Sequence, residues 1–176
     1  MRALACAALL PASLIASSAF ATETEDALAA IHTALAGSWS GTIAVVDPAT
    51  GQRVEEPDAF VFVVTSEDNL DSAMWSASSL EWAEYQQDGV YRIRNWNPRG
   101  VGNDVSIRAA VLEGPDASGD AVWILDGEPE MSDGTLREAR ETFTLKDGVL
   151  TLEGGLRPLG SDEPFSSIVS GTWTRD

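Results

Sequence analysis

From Ser38 to Thr174 the chain is a succession of short runs rich in β-branched and aromatic residues, each bounded by turn residues. The runs cover 38–46, 59–66, 72–79, 89–96, 104–112, 120–126, 136–146, 149–156 and 164–174. Asp47-Pro48, Asp88-Gly89, Asn97-Pro98, Gly114-Pro115 and Asp147-Gly148 punctuate them. Such dipeptides mark turns because glycine supplies a positive φ and proline presets a negative one. The clearest pair is "ETFTLK" and "VLTLEG", two alternating strands joined by Asp147-Gly148 in the manner of a type I′ hairpin. Helical periodicity is confined to residues 22–36, where Thr22 and Glu25 have capping-box spacing, Leu28, Ile31 and Leu35 share a face, and Gly37 stands ready to end the helix. Residues 80–86, "LEWAEYQ", suit a helical turn or the end of a strand equally.

Mostly short loops between about nine strands predict an all-β antiparallel meander over residues 37–176, preceded by a helix over 22–36. A closed barrel of about eight to ten strands and a β-sandwich both satisfy that pattern. Parity favours the barrel. If Trp39 faces the core so do Gly41 and Ile43, and if Trp173 does so do Gly171 and Val169. The first and last strands then carry matching Gly/Trp faces, with Gly37, Trp39, Gly171 and Trp173 as the closure residues. Pairing them removes both exposed edges.

A short helix followed by Gly37-Ser38-Trp39 at the first strand resembles the lipocalin-like, or calycin, barrels, which carry a G-x-W motif near the closed end. The text Leu35, Gly37, Trp39, Gly41 is also similar to that opening uncharacterised secreted bacterial domains of this shape. The resemblance implies an arginine packed across the motif tryptophan, a role open to Arg157 or Arg175.

The chain begins with Arg2, an apolar run from Ala3 to Ile15, and small residues up to Ala21. That order is expected of a cleavable signal peptide over residues 1–21, and it places the protein in the periplasm or the extracellular medium. Cys6 lies at the start of the apolar run, whereas a lipid-attachment cysteine follows it. Processing would leave 155 of the 176 residues and no cysteine, so no disulfide staples the fold. One domain of that length buries enough surface to stand without them. No run reaches the roughly 20 apolar residues of a membrane-spanning helix. A transmembrane β-barrel would need lipid-facing alternation, which charges such as Arg92, Arg94, Glu138 and Arg140 within the strands interrupt.

Loss of Arg2 would leave 10 basic and 28 acidic residues, a formal charge of −18 against −17 for the whole chain. Nucleic acid is therefore excluded as a partner, since its binding rests on basic side chains that release counterions. Catalytic tools are scarce. His32 is the only histidine and lies in the helical segment, which argues against a Ser-His-Asp or Cys-His nucleophile, structural zinc and histidine-bound haem. "DGEPEMSDG" and "SEDNLDS" supply carboxylates without the spacing of a known calcium loop. Nucleotide and hydrolase signatures do not occur. No catalysis, cofactor or metal is expected.

Aromatic residues and arginines stand out in the middle strands. Tyr91, Arg92, Arg94 and Trp96 fall in "VYRIRNW", Arg92, Arg94 and Trp96 on one face and Tyr91 on the other. Trp75 and Trp123 flank that strand, and residues 136–146 place Arg137 and Glu141 on the face of Phe143 and Leu145. Charged residues on a core face suit a ligand at a barrel mouth. Trp75, Tyr91, Arg92, Arg94, Trp96, Trp123, Glu141 and Phe143 are thus the candidate ligand-binding residues. The expectation is an exported small-molecule-binding barrel for a partly apolar ligand, whose anionic group, if present, would suit Arg92 or Arg94. The alternative is an exported protein-partner module such as an enzyme inhibitor using "TETEDALAAIHT" as an arm. Oligomeric state is left open.

Overall fold

A computed structural model of the chain describes residues 24, 26–46, 50–67, 70–77, 81–87, 90–96, 102–131 and 134–176. Residues 1–21, read from the sequence as a signal peptide, and Thr22 and Glu25 lie outside the described residues. The fold is all-β apart from one short helix, α1, over residues 26–35. The strands are β1 (Gly37–Val46), β2 (Arg53–Glu67), β3 (Leu70–Ala77), β4 (Glu81–Gln87), β5 (Val90–Trp96), β6 (Gly102–Glu113), β7 (Ala121–Gly127), β8 (Arg137–Lys146), β9 (Val149–Pro158) and β10 (Ser166–Arg175).

Consecutive strands pair antiparallel, and β1 also pairs antiparallel with β10, so the hydrogen-bonded order is β1-β10-β9-β8-β7-β6-β5-β4-β3-β2. The stretch that suited helix or strand is β4, pairing Glu81–Tyr85 with Ser76–Ser72. Its local preference is weak, and pairing on both sides decides its conformation. β2 starts at Arg53, earlier than its apolar pattern indicates. Among the described pairs, its first part binds β1 alone and β3 joins only from Phe60, which is where a strand tolerates Pro57. Asp147 and Gly148 have φ of 51° and 75°, as a type I′ hairpin requires.

The terminal strands meet through glycines. Gly41 pairs with Trp173, and a Cβ on Gly41 would lie 1.9 Å from the Thr172 carbonyl oxygen. The ring of Trp173 lies over Gly171, where an added Cβ would be 2.0 Å from Cη2. Both glycines let large rings and neighbouring backbone occupy space a methyl group would take.

The apolar stripe of α1 completes the core. Leu28, Ile31 and Leu35 are buried with Trp39, Phe60, Phe62, Trp123, Phe143, Leu150 and Trp173 in one cluster. His32 is also buried, its ring 5.6 Å from that of Phe62. Each large apolar side chain buried in this way contributes about 1.5–3 kcal/mol. Gly37 follows the helix with φ of 135°, a conformation open to glycine without strain, and redirects the chain into β1.

Around Trp39 the chain ends interlock. Trp39 Nε1 donates to the Leu35 carbonyl at 2.7 Å, and the Arg175 guanidinium lies over the Trp39 ring, 5.0 Å from its centroid, while donating to the Ala34 carbonyl. Of the two arginines open to that position, Arg175 occupies it. Arg157 instead lies over Phe165 at 4.5 Å and pairs with Glu138 at 2.5 Å. Among the described residues no helix is long and apolar enough to cross a membrane.

Candidate functional site

Paired residues on the core face form rows running across the strands. One row joins Val111, Trp123, Phe143, Leu152, Gly171 and Ile43. Its Trp123 and Phe143 rings stack with centroids 5.1 Å apart and planes 7° from parallel, and both side chains are buried. The next row, farther from α1, joins Ala109, Leu125, Glu141, Gly154, Val169, Val45 and Val54. A third joins Tyr91, Ile107, Gly127, Ala139, Leu156 and Ser166.

Packing changes at the second row. Leu125 is 3% exposed, whereas Val45 and Val54, paired in the same row, are 45% and 50% exposed. Ala109 and Gly154 in the second row, and Gly127 and Ala139 in the third, are smaller than the Trp, Phe and Leu of the first. Apolar surface in that row is therefore accessible at Val45 and Val54, on β1 and β2, and closed at Leu125 on β7.

Glu141 is the charged member of that apolar row. It is half-buried between Leu125 and Gly154. A Cβ on Gly154 would lie 3.5 Å from Glu141 Cγ and 2.4 Å from Val169 Cγ1, so both side chains lean over the glycine. Arg137, also half-buried, shares the face four residues along β8, about 13 Å away at extended-strand rise.

The predicted residues divide between the two faces. Trp123, Phe143 and Glu141 come together as described. Arg92 is half-buried and pairs with Tyr85 and with exposed Ser106, in a row that alternates with those of the core. The backbone of Arg94 pairs with Ala83 and Asp104, and that of Trp96 with Glu81 and Gly102, on the same side as the Arg92 row. Trp75 pairs with Phe62 and Trp82, in register with the core face. The side chains of Trp75, Tyr91, Arg94 and Trp96 lie outside the described residues.

Sequence patterning passed over an ion-pair cluster on the other face. Arg140 Nε and Nη2 donate to Asp126 Oδ1 and Oδ2, each at 2.7 Å, and this hydrogen-bonded carboxylate raises the arginine's pKa. Gly160 N and Arg157 donate to Glu138, holding its carboxyl below the ordinary value of 4.5. Phe165 lies between Arg140 at 5.1 Å and Arg157 at 4.5 Å. These groups clip the β9–β10 loop to β8.

At the opposite end, a partly open cleft of about 280 Å³ is lined by Glu113, Asp116, Asp120, Val122, Leu145 and Lys146, among others. Its acids hold loops. Asp116 Oδ1 accepts from the hydroxyl and N–H of Ser118 and from Asp120 N, which lowers its pKa, while Asp120 Oδ1 accepts from Asp147 N at 3.0 Å. Among the described residues no group of three or more His, Cys, Asp or Glu is placed to hold a metal ion.

No family model matches the chain, and no curated protein does. The functional reading therefore rests on the row that exposes Val45 and Val54.

Proposed function

We propose that the ring of strands is a lipocalin-like barrel, exported by a signal peptide to the periplasm or medium, that binds a partly apolar small molecule without transforming it. One observation carries this reading. Within a single paired row the core face passes from buried Leu125 to accessible Val45 and Val54, leaving apolar wall exposed on β1 and β2. Apolar walls with a few polar groups are the usual composition of a small-molecule site. Pairing of β1 with β10 supports the barrel over a sandwich, and Arg175 across Trp39 supports the likeness to lipocalins.

An inhibitory arm is less favoured, because Leu28, Ile31 and Leu35, the residues it would present, are buried. The test is native mass spectrometry of protein released gently from its exported compartment, with and without denaturation. A bound mass on the order of a few hundred daltons, lost on denaturation, is expected of a pocket ligand. A bare chain that also binds no apolar probe would overturn the reading.

A further inference from the structure

We infer that Pro57, Glu55 and Glu56 keep a second copy of the chain from adding to β2: the first half of this strand is an open sheet edge, and the proline and the two carboxylates close it to strand addition.

The edge follows from the pairing. Among the described pairs, β2 is joined to β1 from Arg53 to Phe62 but to β3 only from Phe60 to Glu67, so residues 53–59 have a ladder on one side. Exposure agrees. Residues 52–57 are all exposed, Val54 and Glu56 of the core-face parity included, and so is Ala59. A strand open on one side presents N–H and C=O groups that template another chain. The composition of β2 changes at the same place: its proline and its charges fall at Arg53, Glu55, Glu56, Pro57 and Asp58, and none occurs from Ala59 to Ser66, where β3 is paired from Phe60 onward.

Pro57 has no N–H, and a strand accommodates proline with the missing donor on its open side, where it denies a second strand one hydrogen bond. Glu55 and Glu56 are consecutive and project from opposite faces, so an added strand meets an acid on either face. In antiparallel two-fold pairings centred anywhere from residue 55 to residue 57, Glu55 or Glu56 stands opposite Glu55, Glu56 or Asp58 of the second copy. Like charges directly opposite oppose such pairing. Arg53, the cation of this segment, is committed within the chain, donating to Ser170 Oγ on β10.

Sedimentation velocity of the full chain from about 10 μM to about 1 mM, with amide exchange followed at residues 53–59, tests this. Glu55→Thr/Glu56→Thr/Pro57→Thr removes both acids and restores an N–H with a polar residue of high β-propensity. Glu113→Thr/Glu153→Thr makes the same change in net charge at exposed positions of β6 and β9. The triple variant is expected to self-associate at least about tenfold more tightly than wild type or the charge-matched control, with slowed exchange at residues 53–59.

A folded triple variant that sediments as wild type does, that associates no more than the charge-matched control, or that associates without protecting residues 53–59 overturns the inference. Wild type already associated through those residues overturns it as well. If the triple variant does not fold, Pro57→Thr decides: stronger self-association with protection at residues 53–59 supports the inference, and wild-type sedimentation overturns it. None of these readouts involves a ligand, so the inference stands or falls apart from the binding reading.

Discussion

The indole N–H of Trp173 reaches across β1 to donate to Asp58 Oδ2 at 2.9 Å. Gly41, between them in the strand order, pairs with both residues and carries no side chain to obstruct the ring. One hydrogen bond thus spans three strands at the seam between the chain's two ends. Asp58→Ala should leave a buried N–H without its acceptor and cost about 1–3 kcal/mol in urea unfolding. Asp58→Asn, which retains an acceptor oxygen, should recover most of that loss.

Gly41→Ala puts a methyl group against the Thr172 backbone, whereas Gly171→Ala puts one against the Trp173 ring. Backbone cannot rotate away, so Gly41→Ala should lose about 3 kcal/mol or more and broaden NMR resonances along β1 and β10. Gly171→Ala should shift Trp173 and weaken its bond to Asp58. A wild-type melt for Gly41→Ala would refute the close approach.

Arg175 joins the end of α1 to Trp39 by a hydrogen bond and a cation–π contact. Arg175→Met keeps much of the covering side chain and removes both interactions. Loss of about 1–2 kcal/mol is expected, with faster amide exchange in residues 26–35 than in β8 or β9. Uniform acceleration over the whole chain would argue against a local tie.

Ile31 and Leu35 are fully buried. Leu35→Ala should cost about 2–5 kcal/mol through the cavity it leaves, and deletion of residues 22–34 should lower thermal stability sharply. An arm held away from the sheet would lower neither.

Glu138 provides the pH dependence. Hydrogen bonds from Gly160 and Arg157 lower its carboxyl pKa in the folded state relative to the ordinary 4.5. The corresponding stability is present above about pH 4.5 and lost as pH falls through the lowered value. The melting-temperature gap between wild type and Glu138→Gln should therefore be open at pH 7 and close below pH 4.5. A gap that widens on acidification would contradict the pairing.

Local chemistry in the sequence was sufficient for the Asp147-Gly148 hairpin, the α1 stripe of Leu28, Ile31 and Leu35, and the matching faces around Trp39 and Trp173, because each depends on spacing of two or four residues along one chain. Parity along β8 likewise put Glu141 and Phe143 on one face. Tertiary structure alone decided what lay across strands. β4 became a strand through its two ladders, β2 extended through Pro57 because its second partner begins later, and Arg175 rather than Arg157 reached Trp39. The separation of the Arg92 row from the Glu141 row is of the same kind. A side chain's face alternates with every residue, so its relation to another strand is set by register, which depends on pairing between residues distant in sequence.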